Sequence, residues 1–247
     1  MKYSILMPYY KRAEQLKSTL ESFEHFYRDR KDYEIILIED IKNSFNDRAD
    51  LDFVLKKFDN LNINFASFVD TIETYSPSSH YNLGAQYAKG EFIILTNPEN
   101  MHTVDILSGF DEEFEKSKDS YIVCSCLSVQ SKYVPIQIID GVKGQWYQHS
   151  IHRNIGAHFC SAISRNNYFK IGGFSEEFSA GIGYDDDDFR NKVQKSGIPF
   201  VYRDDLMTLH LFHEQASKDM NLFYRNNKLY HDKWGANAFS AGQLPLV

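Results

Sequence analysis

Several things that would decide a protein's class at once are scarce in this chain. Among its 247 residues there is no apolar run of the roughly 18 needed to span a bilayer, so no membrane-crossing helix is expected. The opening Met1-Lys2-Tyr3-Ser4-Ile5-Leu6-Met7-Pro8 is too short for the apolar centre of a secretory leader. Basic residues are outnumbered, 27 Lys and Arg against 34 Asp and Glu, and a net charge of -7 argues against general binding to a phosphate backbone. The expectation is a soluble, cytoplasmic protein with no nucleic-acid partner, able to touch a membrane peripherally where its substrate is membrane-borne. Cysteine is rare: Cys124, Cys126 and Cys160 cannot all pair within one chain. Cys124 and Cys126 sit in an alternating apolar stretch where small thiols are ordinary strand residues, and no second Cys/His pair at metal-ligand spacing stands near them, which argues against a zinc site. No glycine-rich basic loop follows the first apolar run, which argues against a nucleotidyltransferase. No internal repeat or low-complexity linker divides the chain.

What is present suits a globular protein. Hydrophobic residues make up 43% and aromatics 15%, enough at this length for a substantial core. Tyr3 to Met7 reads as a buried strand, Leu16, Leu20, Phe23 and Tyr27 as a helical stripe, and Glu34 to Ile38 as a second strand. The alternation continues through a helix at Leu51, Val54, Leu55 and Phe58, a strand at Ile63 to Phe68, a helix at Tyr81, Ala85 and Ala88, and a strand at Phe92 to Leu95. Such a pattern predicts an α/β fold, a mostly parallel sheet flanked by helices, with ligands gathering at the carboxyl ends of the strands. Beyond it, Leu107, Phe110 and Phe114 mark a helix and Tyr121 to Val129 a long strand. Residues 130–154 follow neither period and read as a functional loop or a surface excursion. His158 to Ile163 and Phe200 to Tyr202 read as strands, and Leu222, Asn226 and Leu229 as a closing helix.

The most informative stretch is Gly172-Gly173-Phe174-Ser175-Glu176-Glu177-Phe178, followed by Gly183-Tyr184-Asp185-Asp186-Asp187-Asp188-Phe189-Arg190. Four consecutive carboxylates repel one another and persist where a cation, a hydroxyl-bearing substrate or a helix N-terminus uses their charge. A solvated acidic helix start is the plain alternative. The glycines suit tight turns, and Phe189 and Val193 recur at helical spacing, so the pattern predicts a loop that feeds carboxylates onto a helix start and aims a general base.

Five segments, in order and across almost the whole chain, resemble the family 2 glycosyltransferases, enzymes of the GT-A fold that move a sugar from a nucleotide donor to an acceptor. They are Ser4 to Arg12 with its Pro8-Tyr9-Tyr10-Lys11-Arg12 turn, Glu34 to Asp40 ending in an acidic pair, and Asn82-Leu83-Gly84 with Ala88 to Ile93. The Gly-Gly-Phe and Asp-Asp segments and His210-Leu211-Phe212-His213-Glu214 complete the set. The resemblance implies a single Rossmann-like GT-A domain over 1–247, with a nucleotide-sugar-binding half at 1–100 and an acceptor-binding half at 101–247. The acceptor and base region is galactosyltransferase-like.

By this resemblance the chain is a metal-dependent, inverting enzyme that moves a hexose or N-acetylhexosamine from a UDP-sugar to a glycan or lipid-linked acceptor, in polysaccharide or glycoconjugate synthesis. Its alternative is a catalytically impaired domain that holds a nucleotide sugar or glycan. Asp186 matches the base and Asp185 an acceptor clamp, leaving Asp187 and Asp188 as charges of the helix start. On the donor side stand Pro8, Tyr10 for the nucleobase, Glu39 as its hydrogen-bond acceptor, Arg12 near the phosphates, Asn97, and Asn82 for the nucleotide or its loop. Where the family holds its metal with Asp-X-Asp, this chain has Asn97-Pro98-Glu99, and Asn97 offers only a neutral amide oxygen. Glu99 and His213 are the expected ligands of Mn2+ or Mg2+, an imidazole favouring Mn2+; the alternative for His210 is a place in the core. Trp146 (with Tyr147 and His149), Gly173, Phe174 and Tyr184 are the expected acceptor contacts.

Overall fold

The structure, a computed structural model, describes residues 1–40, 48–68, 76–139, 141–214 and 219–244. Its front half alternates strand and helix: β1 (Tyr3–Tyr9), α1 (Ala13–Tyr27), β2 (Tyr33–Asp40), α2 (Arg48–Leu55), β3 (Ile63–Phe68), α3 (Ser78–Tyr87) and β4 (Phe92–Leu95). The back half follows with β5 (Asn100–His102), α4 (Ile106–Lys116), β6 (Tyr121–Ser128), β7 (Gln145–Gln148), β8 (Ser161–Ser164), α5 (Arg165–Lys170), α6 (Asp185–Lys195), β9 (Phe200–His210) and α7 (Met220–Trp234).

One sheet runs through the molecule in the order β3-β2-β1-β4-β8-β6-β9-β5, with β7 paired to β6. From β3 to β4 every pairing is parallel; β8 lies antiparallel between β4 and β6, and β9 is parallel to β6. Both faces are covered, which is why β1 is buried and mostly apolar along its length and does not alternate. Tyr3, Ile5, Met7 and Tyr9 face Leu16, Leu20 and Phe23 of α1, while Leu6 points the other way to Ile36, Ile38 and Tyr81. Each of these buried side chains contributes about 1.5–3 kcal/mol of transfer free energy, so the apolar stripe of α1 fixes that helix to the sheet.

Several boundaries differ from expectation. β8 begins at Ser161, because Cys160 has φ of 48° and the left-handed turn ends extension there. β9 runs on from Tyr202 to His210 through a register shift opposite Cys124 and Ser125. The segment 130–154 holds a short 3-10 turn at Ile136–Ile138 and strand β7.

The topology gathers one edge. β8 is antiparallel to β4 with Leu95 opposite Ser161, so the chain entering β8 lies where the chain leaves β4. β6 and β9 run in the direction of β4, and their ends return to the same edge.

Candidate active site

Leaving β4, the chain passes through Asn97, Pro98 and Glu99 into β5, which pairs antiparallel with β9 so that Asn100 stands opposite His210. The Leu211 N–H donates to the Glu99 carbonyl at 2.8 Å and locks the two segments together. The consequence is a cluster: ligand atoms of Glu99, His210 and His213 all lie within 4.8 Å of one another. Glu99 is 7% exposed, with Oε1 3.4 Å from Nε2 of His213. The His210 ring stacks on Tyr147 at 5.1 Å and meets Phe159 edge-on. Burial pushes His210 down to about 4, so it stays neutral at neutral pH, and its Nδ1 has no hydrogen-bond partner among the described residues. Arg12 closes the cluster from the α1 side, its Nη2 3.0 Å from Nδ1 of His213 and its Nε 3.9 Å from Oε2 of Glu99. Nδ1 of His213 also lies 3.0 Å from the Glu214 carbonyl, so it accepts from the guanidinium or donates to that carbonyl according to the tautomer, while Nε2 is the nitrogen turned toward Glu99.

The second cluster is built on the turn before α6. Gly173 has φ of 55°, and a Cβ there would fall 2.4 Å from Oδ1 of Asn82. That oxygen accepts from the Phe174 N–H and the Tyr168 hydroxyl, each at 2.9 Å, while Nδ2 donates to the Phe174 carbonyl and to Glu176. Every hydrogen-bonding group of the Asn82 side chain is thereby engaged. Asn82 braces this loop, the second of the two roles expected for it. Phe174, expected among the acceptor contacts, is 2% exposed, and its ring stacks between Tyr81 and Phe189 in the core.

Tyr184, with φ of 68°, turns the chain into α6. Its ring packs on Phe223 and Tyr230 and its hydroxyl accepts from Asn227, so it buttresses α7. Asp185 is buried, and burial reinforced by the charge on Asp186 raises it to about 7. Asp186 stays partly open, and its Oδ1 lies 2.5 Å from Nδ1 of His158 in an ion pair whose angles are not those of an aligned hydrogen bond. Burial acts to lower His158, but the carboxylates around it, Asp186 foremost with Asp185 and Glu99, together outweigh it and the net shift is upward. Asp187 and Asp188 are not solvated helix charges. Asp187 accepts from Arg190 and from the Ala241 N–H, each at 2.8 Å, and Asp188 is fully buried among Ser175, Lys233 and Trp234.

Tyr81 joins the two clusters. Its hydroxyl lies 2.7 Å from Oδ1 of Asn97 and 2.9 Å from the Thr96 carbonyl. After burial itself, the charges that raise this phenol are those of Asp186, Glu99 and Asp185. The His158 ring meets Tyr81 edge-on at 5.0 Å and stacks on Phe159, which in turn touches His210. Triad and acid pair therefore share one aromatic wall.

The remaining expected residues surround this centre. Tyr10 is exposed at the rim of a cleft of about 450 Å³, which Arg12, Gln15, Lys132 and His213 also line. Pro8 is half-buried opposite Ile38 near the end of β1. Glu39 is buried and paired with Arg48 at 2.7 Å, and its Oε2 has no partner among the described residues. Trp146 is half-buried, stacked on His152 and tilted against His149. Sequence reasoning missed His158 and Tyr81, since a lone histidine or tyrosine in an apolar segment carries no local sign of a charged partner.

A sheet of this order, with an acid–imidazole cluster at its strand ends and paired carboxylates at a helix start, defines the GT-A class of glycosyltransferases. The family model described as Glycosyl transferase family 2 matches residues 4–166, more than half of the chain, and the chain belongs to that family. A second model, described as the N-terminal domain of galactosyltransferase, matches residues 147–214, which hold the acid pair and both histidines of the triad. No curated protein matches the chain.

Among solved structures, S. aureus TarS 1-349 in complex with UDP-GlcNAc is similar at a TM-score of 0.69 and 15% identity, over 98% of this chain and 69% of that one. Against the longer TarS structure the TM-score is 0.68 at 14% identity, and the match spans 41% of that chain's length. The mannosyltransferase PcManGT from Pyrobaculum calidifontis, in complex with GDP-Man and Mn2+, is similar at 0.60 and 11% identity, over 88% of this chain and 57% of that one.

Proposed function

We propose that this enzyme transfers a hexosyl or N-acetylhexosaminyl group from a UDP-sugar to a hydroxyl of a glycan or lipid-linked acceptor, with inversion at the anomeric carbon, in polysaccharide or glycoconjugate synthesis. The observation that carries the proposal is the meeting of Glu99, His210 and His213 within 4.8 Å, across one wall from Asp185 and Asp186. UDP-GlcNAc and UDP in two of the similar TarS structures support the choice of donor.

The triad fits a divalent cation. His210 is neutral with an unpartnered buried Nδ1, and Glu99 supplies the hard, charged oxygen that Asn97 does not. One carboxylate with two imidazoles suits Mn2+ better than Mg2+, and the PcManGT structure with Mn2+ agrees with that preference. A cation held there would stabilise the negative charge that develops on the departing diphosphate. Arg12 adds a fixed positive charge on the same side.

In the transfer, Asp186 takes the proton of the acceptor hydroxyl while that oxygen forms its bond to the anomeric carbon. The bond from that carbon to the diphosphate breaks, its electron pair leaving with the diphosphate. Asp185, raised to about 7 by burial, carries a proton over much of the neutral range and can donate a hydrogen bond to the acceptor.

The test is Asp186→Asn. Transfer should fall at least about 100-fold while the donor Kd, measured by calorimetry with a panel of UDP-, GDP-, CMP- and dTDP-sugars, stays within about twofold of the native value. Full activity in this variant removes Asp186 from the base role. A product that keeps the donor's anomeric configuration by NMR overturns inversion, and donor binding without turnover across candidate acceptors overturns the transferase reading.

A further inference from the structure

The acid pair at the start of α6 has a partner that the transfer itself does not call for. His158 lies on the segment entering β8, is 3% exposed, and brings Nδ1 to 2.5 Å from Oδ1 of Asp186. Its ring is enclosed by Tyr81 edge-on at 5.0 Å, Phe174 edge-on at 5.3 Å and Phe159 stacked at 5.1 Å. The titratable groups that face it are the Tyr81 phenol on α3, Asp185 and Asp186 on α6, and Glu99 beyond β4. None of these is cationic; Arg12 stands at Glu99, and the imidazole of His158 is the basic group paired with Asp186.

We propose that His158 is a positioning residue for the transfer, holding Asp186 as the ionised member of the acid pair and leaving the proton on Asp185. The assignment rests on the reading of Asp186 as base. Two adjacent carboxylates drawn away from water do not both ionise readily, and whichever has the closer cation keeps its charge. Here that is Asp186. Asp185 has no contact of this kind, and its Oδ2 is buried without a hydrogen-bond partner among the described residues. The directions of the shifts agree: burial and the charge on Asp186 push Asp185 up to about 7, while His158 moves up in spite of its burial. Without the imidazole the proton would be shared between the two carboxylates, and the base would be blocked for part of the time at neutral pH.

A simpler role for the ring, as a flat filler among aromatics, makes a different forecast. The deciding experiment follows the His158 imidazole by NMR in the full chain through a pH titration, native against Asp186→Asn. Loss of the partner charge should lower the His158 titration point by about one pH unit or more; the same midpoint in both proteins overturns the pairing. In a second arm, His158→Gln should move the acid limb of the kcat/KM profile to higher pH by about one unit and lower kcat at pH 7 about tenfold, with donor KM within about twofold. Equal loss at every pH, or no change at any, overturns the positioning role. Should His158→Gln not fold, the titration of Asp186→Asn still decides the pairing. The two readings fail separately: transfer surviving in Asp186→Asn overturns the base assignment, whereas an unmoved His158 titration overturns the inference made here.

Discussion

The indole N–H of Trp234 donates to the carboxylate of Asp188 at 2.8 Å, tying the last turn of α7 to the first turn of α6. Asp188 is fully buried and also meets the Ser175 hydroxyl at 2.6 Å and the Lys233 ammonium at 2.8 Å. Asp188→Ala strands those donors and should destabilise the fold by about 2–4 kcal/mol. Trp234→Phe leaves two partners in place and should cost about 1 kcal/mol. Urea unfolding checks both, through the midpoint at constant slope; a cost below about 0.5 kcal/mol for Asp188→Ala would show that the latch does not hold the helix.

Gly173 and Asn82 should be coupled. Gly173→Ala places a methyl 2.4 Å from Oδ1 of Asn82 in left-handed backbone and should cost several kcal/mol, of order 3. Asn82→Ala removes the four hydrogen bonds that brace the same turn and should cost about 2–4 kcal/mol. Because the second change removes the atom that the first collides with, the double variant should be more stable than the sum by about 1 kcal/mol. A double-mutant cycle showing strict additivity would break this account of the turn.

The triad and Arg12 respond to metal in opposite senses. His210→Ala should weaken Mn2+ binding by more than the roughly 10–100-fold typical of outer-shell partners. Arg12→Gln removes a positive charge 3.9 Å from Glu99, and should tighten Mn2+ while weakening the UDP-sugar. Calorimetry with Mn2+ alone, then with donor, separates the two effects. Unchanged Mn2+ affinity in His210→Ala excludes it as a ligand.

Asp185 ties stability to pH with a definite sign. The folded protein holds this proton up to about 7, whereas the unfolded chain releases it near the ordinary value of 3.8. Between those values the folded state binds more protons, so the contribution of Asp185 to stability falls as pH rises. Asp185→Asn removes the liability. Relative to native protein it should gain stability steadily from pH 4 to 7 and level off above, by about 2–4 kcal/mol at pH 8. Thermal melts at pH 5 and pH 8 measure the difference; a pH-independent offset between the two proteins would be fatal to the assignment.

Much of this was legible in the residues alone, because it depends on local pattern. Apolar runs and 3.6-residue stripes located the alternating front half, and the carboxylate run following glycines marked the start of α6. Glu99 and His213 were named through the resemblance to the glycosyltransferase family, not from local pattern. What the sequence left undecided turns on where side chains point, and that follows from long-range pairing and from single backbone turns. His210 joins Glu99 because β5 and β9 pair with Asn100 opposite His210, residues 110 positions apart in the chain. Left-handed conformations at Gly173 and Tyr184 accompany the turn of Phe174 into the core and of Tyr184 onto α7. His158 finds Asp186 only where the entry to β8 lies beside the start of α6, a contact between segments whose separate sequences carry no sign of each other.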